Sequence, residues 1–179
     1  FLGSTLREIA EKKAGIIKKG CPMITVKQKP EAEAALKERC KKMEIPFVYA
    51  DSSEAQITEE GIWGQSFWLK GEEYRISLAG VYQKENSVLA LKALELLEEL
   101  GYPTSLKERK EGLLAASWKG RFTVIHKDPL MIVDGAHNPG AADMMAETIR
   151  HYFMRKNEGQ KLIYIMGMFR DKDCRSVLS

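Results

Sequence analysis

The sequence lacks two features that would point to a membrane or a nucleic acid: a long apolar run and an excess of positive charge. No apolar run approaches the roughly 20 residues that a membrane-spanning helix needs. The 28 Lys and Arg residues nearly balance the 25 Asp and Glu residues, so we expect neither nucleic acid nor membrane as a partner. Glu8 and Glu11 interrupt the segment where a signal peptide needs an apolar stretch. We therefore expect a cytoplasmic protein.

Cysteine is also scarce. Cys21, Cys40 and Cys174 are odd in number, lie far apart in the chain and show no CxxC spacing. This pattern indicates neither a disulfide framework nor a zinc site. We expect all of these thiols to be reduced and to have structural roles.

Hydrophobic patterning predicts an α/β fold in the first part of the chain. Two short strands, rich in apolar and β-branched residues, are predicted at residues 22–26 and 46–50. A helix that Pro30 opens and that ends near Met43 separates them. A strand, a helix and a second strand within about thirty residues favour a right-handed βαβ unit with a parallel sheet.

The rest of the chain shows other hydrophobic patterns. Alternating apolar residues on both sides of Lys70 and Gly71 predict a β-hairpin over residues 66–78. A largely apolar helix is predicted from Asn86 to Gly101. The segment after it, GYPTSLKERKEG, combines turn residues and charges and is interpreted as the approach to a domain boundary. Beyond it, a further strand, helix and strand are predicted at residues 130–133, 139–153 and 162–166.

The first helix carries two adjacent lysines with different expected surroundings. Thr5 and Glu8 have the spacing of a capping box, which predicts a helix over about residues 6–14. Helical spacing places Lys13 on the apolar face of this helix and Lys12 on a solvated face. Lys13 then either keeps its ammonium group in water, or is buried, loses its charge and forms a metal-binding carbamate with carbon dioxide. The spacing permits both interpretations.

The segment DGAHNP carries the densest chemistry in the chain. Gly135 allows a turn after the predicted strand, and Asn138 and Pro139 suit the N-cap and the first position of a helix. Asp134 and His137 are therefore expected outside the carboxyl end of a parallel strand, where α/β proteins bind ligands. There Asp134 can accept hydrogen bonds from ribose hydroxyls, and His137 can donate to a phosphate or carboxylate. Alternatively, Asp134 only orders the turn and His137 is a half-buried polar residue.

Arg121, in the segment WKGR, lies shortly before this segment. Its guanidinium offers a fixed positive charge for a phosphate group. The alternative is an ordinary surface arginine.

Five segments occur in the order found in one family: LGSTLREIAEKKAGIIKKGCP, LAGVYQKENSVLALKALELL, WKGRF, IVDGAHNP and MGMFRDKD. Together they resemble the folylpolyglutamate synthase/dihydrofolate synthase family of Mur-type ATP-dependent amide ligases, over nearly the whole chain. The resemblance implies the end of a P-loop ATPase central domain over residues 1–117 and the start of a Rossmann-like C-terminal domain over residues 118–179. The chain lacks an initiator methionine and the family's glycine-rich phosphate loop. We expect a piece of a longer protein, inactive by itself.

The resemblance also implies roles for individual residues. Lys13 matches the lysine of the family's EKAGI segment, which is carbamylated, helps to hold the metal and counts as catalytic. Asn86, Arg121 and Asp134 match residues that contact the nucleotide. His137 follows in the same motif and is the second catalytic candidate.

The implied reaction adds L-glutamate to a folate, or to dihydropteroate, through an acyl-phosphate intermediate. ATP and Mg²⁺ are the implied cofactors, K⁺ is a further candidate, and a monomer is expected. Tyr82 stands where the family has a histidine before Gln83, so the nucleotide contact of that histidine does not carry over. The alternatives are a Mur-type ligase for a cell-wall or polyamino-acid substrate, and a non-catalytic nucleotide-binding module.

Overall fold

The computed structural model describes residue 3, residues 5–154 and residues 161–169. The chain forms two compact units. The first consists of Phe1–Glu54 and Glu85–Leu106, and the second of Ala55–Lys84 and Lys107–Ser179. The domain boundary near residue 117 stays a prediction. Within the described ranges, no helix is both long enough and apolar enough to span a membrane.

The first unit contains the predicted strand, helix and strand. Strand β1 (Met23–Thr25) pairs in parallel with strand β2 (Phe47–Tyr49), and helix α2 (Pro30–Met43) lies between them in the chain. Pro30 lies in the first turn of α2, where its missing N–H leaves no hydrogen bond unmade. The predicted parallel pairing is confirmed.

Helix α1 (Leu6–Lys13) opens on the predicted capping box. Thr5 Oγ1 accepts the Glu8 N–H at 3.2 Å, and the Glu8 carboxylate accepts the Thr5 N–H at 3.2 Å. These two bonds satisfy N–H groups that the helix itself leaves without partners. A 3₁₀ turn, Ala14–Ile16, follows α1. The buried cluster of this unit consists of Ala14, Ile17 and Cys40.

The second unit contains a three-stranded antiparallel sheet. Its strands, in spatial order, are β3 (Gln56–Gly61), β4 (Gly64–Leu69) and β5 (Glu72–Ile76). Strands β4 and β5 form the predicted hairpin. Lys70 and Gly71 connect them with φ angles of +52° and +83°, as two-residue hairpin turns require.

The buried side of this hairpin follows the predicted alternation. Phe67 is fully buried and stacks on Tyr74 of the facing strand, with ring centroids 5.7 Å apart. Strand β3 was missed by sequence reasoning, because its segment QITEEG is rich in charge and most of its side chains are exposed. It is recognisable only through its pairing with β4.

Two further helices follow the sheet in the chain. Helix α3 (Gln83–Glu99) begins slightly before its predicted start at Asn86, and the Gln83 N–H donates to Gly80 O at 3.0 Å. Helix α4 (Leu106–Ala115) lies in the segment that was interpreted only as the approach to a boundary. Its Leu, Lys, Glu and Arg residues are strong helix formers, and this propensity outweighs the charge density.

The last described elements carry the DGAHNP segment. Strand β6 (Thr123–Lys127) pairs with β7 (Leu130–Val133), and helix α5 (Pro139–Ile149) continues into a π-helical turn, Arg150–Met154. The pairing of β7 is antiparallel, so the expected parallel strand is not found among the described residues. The predicted strand at residues 162–166 is also wrong, because this segment pairs with no described strand and Ile165 is 92% exposed.

Candidate functional site

Two turns meet at one end of the β6–β7 hairpin. One precedes β6 and contains Gly120 and Phe122, and the other follows β7 and begins at Asp134. The Phe122 N–H donates to Asp134 Oδ2 at 2.7 Å. The Gly135 N–H donates to Gly120 O at 2.7 Å, and the Ala136 N–H donates to Asp134 Oδ1 at 2.7 Å. The bonds from Phe122 and Gly135 join the WKGRF and DGAHNP segments into one site, and the bond from Ala136 orders the turn after β7.

The backbone around Arg121 explains why glycine occurs here. Gly120 has a φ of +76°, a backbone conformation that residues other than glycine rarely adopt. Phe122 also has a positive φ, +43°, although it is not a glycine. Phe122 is 3% exposed, and burial of a phenylalanine side chain stabilises by about 1.5–3 kcal/mol, which offsets the unfavourable conformation. The backbone of Gly135 lies close to that of Gly120, since a Cβ at Gly135 would lie 3.3 Å from Gly120 O.

Asp134 is held by the backbone but keeps binding capacity. The residue is half-buried, and each carboxylate oxygen accepts one backbone N–H. A carboxylate has about four lone-pair sites, so two remain for hydroxyl or N–H donors of a ligand. Asp134 therefore orders the turn and can also bind, so the two sequence interpretations are compatible.

Arg121 lies between Gly120 and Phe122 and is exposed. Its N–H donates to Trp118 O at 3.3 Å, which helps to fix the backbone that carries the side chain. Among the described residues no carboxylate forms an ion pair with the guanidinium. The side chain is therefore available to a phosphate group.

A cavity of about 210 Å³ borders Arg121. Phe122 contributes to its lining, and Trp63 and Trp118 do so while remaining 59% and 68% exposed. The cavity provides space for a ligand beside the arginine.

The start of α5 has the geometry expected from the sequence, and His137 lies directly before it. His137 is exposed, and its Nδ1 lies 2.8 Å from Gly135 O. This contact makes Nδ1 the donor, so Nε2 is the ring nitrogen that remains for a ligand. Asn138 caps α5 by accepting the Ala141 N–H at 3.0 Å, and Pro139 is the first residue of the helix. Both predictions for the helix start are confirmed.

Tyr82, the residue that departs from the family pattern, belongs to the same group of side chains. A Cβ at Gly80 would lie 3.0 Å from its ring, so the ring folds back over Gly80. Burial raises the pKa of the Tyr82 hydroxyl, the nearby Asp134 raises it further, and Arg121 opposes this effect. Tyr82 therefore lies within electrostatic range of both site residues. The sequence showed only its place in the LAGVYQ segment.

Lys13 and Asn86 belong to the first unit. Lys13 is the last residue of α1 and is exposed, so its predicted orientation toward the core is wrong. The buried residues are Ala10, Ala14 and Ile17, and this spacing of four and three leaves Lys13 beside the packed face. Asn86 lies in the first turn of α3 and is also exposed.

The described residues do not by themselves form a divalent-metal site. No group of three or more His, Cys, Asp or Glu side chains that could hold a metal ion is found among them. A carbamate on Lys13 would be a single ligand, whereas Mg²⁺ requires six oxygen donors, several of them waters. This part of the chain therefore does not account for a complete magnesium site.

The chain is similar to known proteins over nearly its whole length. Residues 120–178 match the family "Mur ligase, glutamate ligase domain". The chain is 30% identical over 185 residues to the dihydrofolate synthase/folylpolyglutamate synthase of Bacillus subtilis (strain 168), a match that covers 99% of the chain and 42% of that protein. The chain is related to the folylpolyglutamate and dihydrofolate synthases. It spans less than half the length of the curated relatives it matches.

Solved structures of folylpolyglutamate synthases have the same fold. A complex with AMPPCP and folate matches with a TM-score of 0.74 and 26% identity, covering 84% of this chain and 38% of that one. The Mycobacterium tuberculosis enzyme, solved with ADP and AMPPCP, matches with a TM-score of 0.70 and 29% identity, covering 86% and 36%. The α/β fold and the presence of a Mur ligase C-terminal domain are thereby confirmed. Of the predicted site residues, Arg121, Asp134 and His137 lie within the matched domain.

Proposed function

We propose that the chain is part of an ATP-dependent ligase that adds L-glutamate to a folate. The observation that carries this proposal is the joined pair of turns, which places an exposed arginine beside a backbone-held aspartate in a relative of the folylpolyglutamate synthases. A site for ATP needs positive charge for phosphates and acceptors for ribose hydroxyls, and this pair supplies both. The other residues that the reaction needs would lie outside this chain.

The second unit would hold the nucleotide through three side chains. The guanidinium of Arg121 binds a phosphate, with a planar set of donors that suits phosphate oxygens. Asp134 accepts from the ribose hydroxyls with its remaining lone pairs. His137 offers Nε2 as a hydrogen-bond donor to an anionic group. Asn86 is proposed as a further nucleotide contact.

Lys13 is proposed to carry a carbamate that contributes one oxygen ligand to Mg²⁺. Lys13 is exposed in this chain, so the burial that the carbamate requires would come from parts of the protein outside this chain. The other ligands, and any K⁺ site, would come from parts of the protein outside this chain.

The arrangement of the whole protein follows from the same proposal. Residues 1–117 would complete a P-loop ATPase domain and residues 118–179 would begin the C-terminal ligase domain. The sequence contains no glycine-rich phosphate loop, so the isolated chain would be inactive. We propose a cytoplasmic monomer.

A second substrate is favoured by one specific observation. The Bacillus subtilis relative is named for both dihydrofolate synthase and folylpolyglutamate synthase activity. Addition of glutamate to dihydropteroate forms the same kind of amide bond to the same amino acid. We therefore propose dihydropteroate as an additional acceptor.

Incorporation of labelled L-glutamate tests the proposal. The full-length protein is incubated with ATP, Mg²⁺ and K⁺, and with tetrahydrofolate or dihydropteroate in separate reactions. ATP-dependent incorporation into either acceptor is the expected result. A folded protein that binds ATP and labels neither acceptor would point to another Mur-type substrate, and one that does not bind ATP would refute the proposed nucleotide site.

A further inference from the structure

Tyr152 connects the buried part of the three-stranded sheet to the turn that holds Asp134. It lies in the π-helical turn after α5 and is half-buried. Its hydroxyl oxygen accepts a hydrogen bond from Gln65 Nε2 at 3.1 Å, and the same Nε2 donates to Gly80 O at 2.7 Å. Gln65 is 4% exposed, so this bond anchors Tyr152 to the interior of the second unit.

The ring of Tyr152 packs against Phe122. The two ring centroids are 6.3 Å apart and the planes are inclined by 58°, which lies within the range of favourable aromatic pairs. Phe122 is buried, and its N–H is the donor that binds Asp134 Oδ2. One ring contact and one hydrogen bond therefore separate Tyr152 from the Asp134 carboxylate.

The helix end that carries Tyr152 is attached to neighbouring segments at two other points. Thr148 is fully buried, and its Oγ1 accepts the Val81 N–H at 3.3 Å. His151 Nε2 is hydrogen-bonded to Glu60 Oε1 of strand β3. Since three contacts hold this helix end, Tyr152 has little freedom to move away from Phe122.

We infer that Tyr152 is a positioning residue that sets the place of the Asp134 carboxylate and so supports nucleotide binding. This inference rests on the proposed function, in which Asp134 binds ATP. Tyr152 acts through the Phe122 backbone and does not touch the ligand. Burial raises the pKa of Tyr152, so its hydroxyl is neutral at physiological pH and it acts by packing and hydrogen bonding.

Binding of AMPPCP to the full-length protein, measured by isothermal titration calorimetry, tests this inference. Tyr152→Leu removes the ring and the hydroxyl, and we expect the Kd for AMPPCP to rise about fivefold, the equivalent of losing one moderate interaction. Tyr152→Phe keeps the ring contact and is expected to recover most of the affinity. Tyr102→Leu changes a tyrosine of the first unit that is 69% exposed, and this matched control should bind like the wild type.

The same substitution in an Asp134→Asn protein distinguishes a positioning role of Tyr152 from a merely structural one. In an Asp134→Asn protein, Tyr152→Leu should change the Kd by less than about twofold, because its effect passes through the group already altered. Equal effects in both backgrounds would overturn the inference, as would wild-type affinity in a folded Tyr152→Leu protein. If Tyr152→Leu does not fold, Phe122→Leu breaks the same ring pair, and wild-type affinity there would also overturn it.

Failure of the proposed function gives a different result. Asp134→Asn alone would then leave AMPPCP binding unchanged, and both the function of Asp134 and the role of Tyr152 would be refuted. A higher Kd in Asp134→Asn with no effect of either ring substitution refutes only the role of Tyr152.

Discussion

Replacement of Asp134 by alanine should destabilise the second unit by an amount that its hydrogen bonds determine. The carboxylate accepts the N–H groups of Phe122 and Ala136, each at 2.7 Å. Hydrogen bonds to charged groups contribute about 1.5–3 kcal/mol each. The site is only half-buried, so we take the lower part of this range and expect Asp134→Ala, which removes both bonds, to lower the free energy of unfolding by about 3–4 kcal/mol. Asp134→Asn keeps one acceptor oxygen and should lower it by about 1–2 kcal/mol.

The natural tryptophans make this effect measurable. Trp63, Trp68 and Trp118 are the three tryptophans of the sequence, and all belong to the second unit. Tryptophan fluorescence during urea unfolding of the chain therefore reports on the unit that contains Asp134. The control is Asp143→Ala, which changes an exposed aspartate in α5 and should shift the free energy of unfolding by no more than about 0.5 kcal/mol.

Each outcome has a clear meaning. A loss of stability graded from Asp134→Asn to Asp134→Ala confirms that the carboxylate joins the two turns. Identical unfolding midpoints for Asp134→Ala and the wild type would refute this reasoning. Because Asp134→Asn should remain folded, it is the variant in which the apparent Michaelis constant for ATP should rise in the full-length enzyme.

Three other predictions concern different parts of the chain. Lys13→Ala should lower the ligase activity of the full-length enzyme, and a raised Mg²⁺ concentration should partly restore it, whereas Lys12→Ala should have little effect. Unchanged steady-state rates in Lys13→Ala would rule out the carbamate. Gly64→Ala should destabilise the second unit by more than about 3 kcal/mol, because a Cβ there would lie 2.2 Å from a β5 carbonyl oxygen and the residue has a φ of +134°. Circular dichroism during heating would detect the loss of stability, and a wild-type melting curve would contradict the prediction. Burial raises the pKa values of Tyr82 and Tyr152 above 10.0, so the folded state holds these protons more tightly than the unfolded state. The free energy of unfolding should therefore fall as pH rises from about 10 through the folded-state pKa values. If urea titrations show the same loss of stability at alkaline pH in a variant with phenylalanine at both positions, these two tyrosines are not its cause.

Local sequence rules predicted the elements whose signals are complete within a few residues. The Thr5 and Glu8 capping box, the Pro30 helix start, and the Asn138 cap with Pro139 all occur as expected. Each depends on a backbone N–H that one nearby side chain satisfies or that proline does not have. Such features need no knowledge of distant contacts.

Features that depend on distant partners were not predicted. Lys13 was expected on the packed face, but the chain packs through Ala10 and Ala14, and a spacing argument does not identify which neighbouring face another helix covers. Strand β3 exists through its pairing with β4. The contact between Tyr152 and Phe122 joins residues 30 positions apart in the sequence, and no short motif indicates it.

The residues of the candidate site were selected from the sequence, but their geometry was only partly predicted. Arg121, Asp134 and His137 were selected from their residue types and from the family segments. The bonds from Phe122 and Gly135 that join the two turns were not foreseen, because backbone groups carry no sequence signal. The positive φ of Phe122 is likewise invisible in the sequence, since phenylalanine rarely adopts it.

The β6–β7 hairpin has one end of fixed length and one end that is free to vary. At the site, each hydrogen bond between the turns depends on the register of the pair, so a single inserted residue near Phe122 or Asp134 would displace the arginine or the carboxylate. At the opposite end, Asp128 and Pro129 are exposed and lie outside both strands. Extra residues there extend into solvent and leave the pairing from Thr123 to Val133 unchanged. The tip is therefore a position for a peptide tag or reporter that does not alter the site.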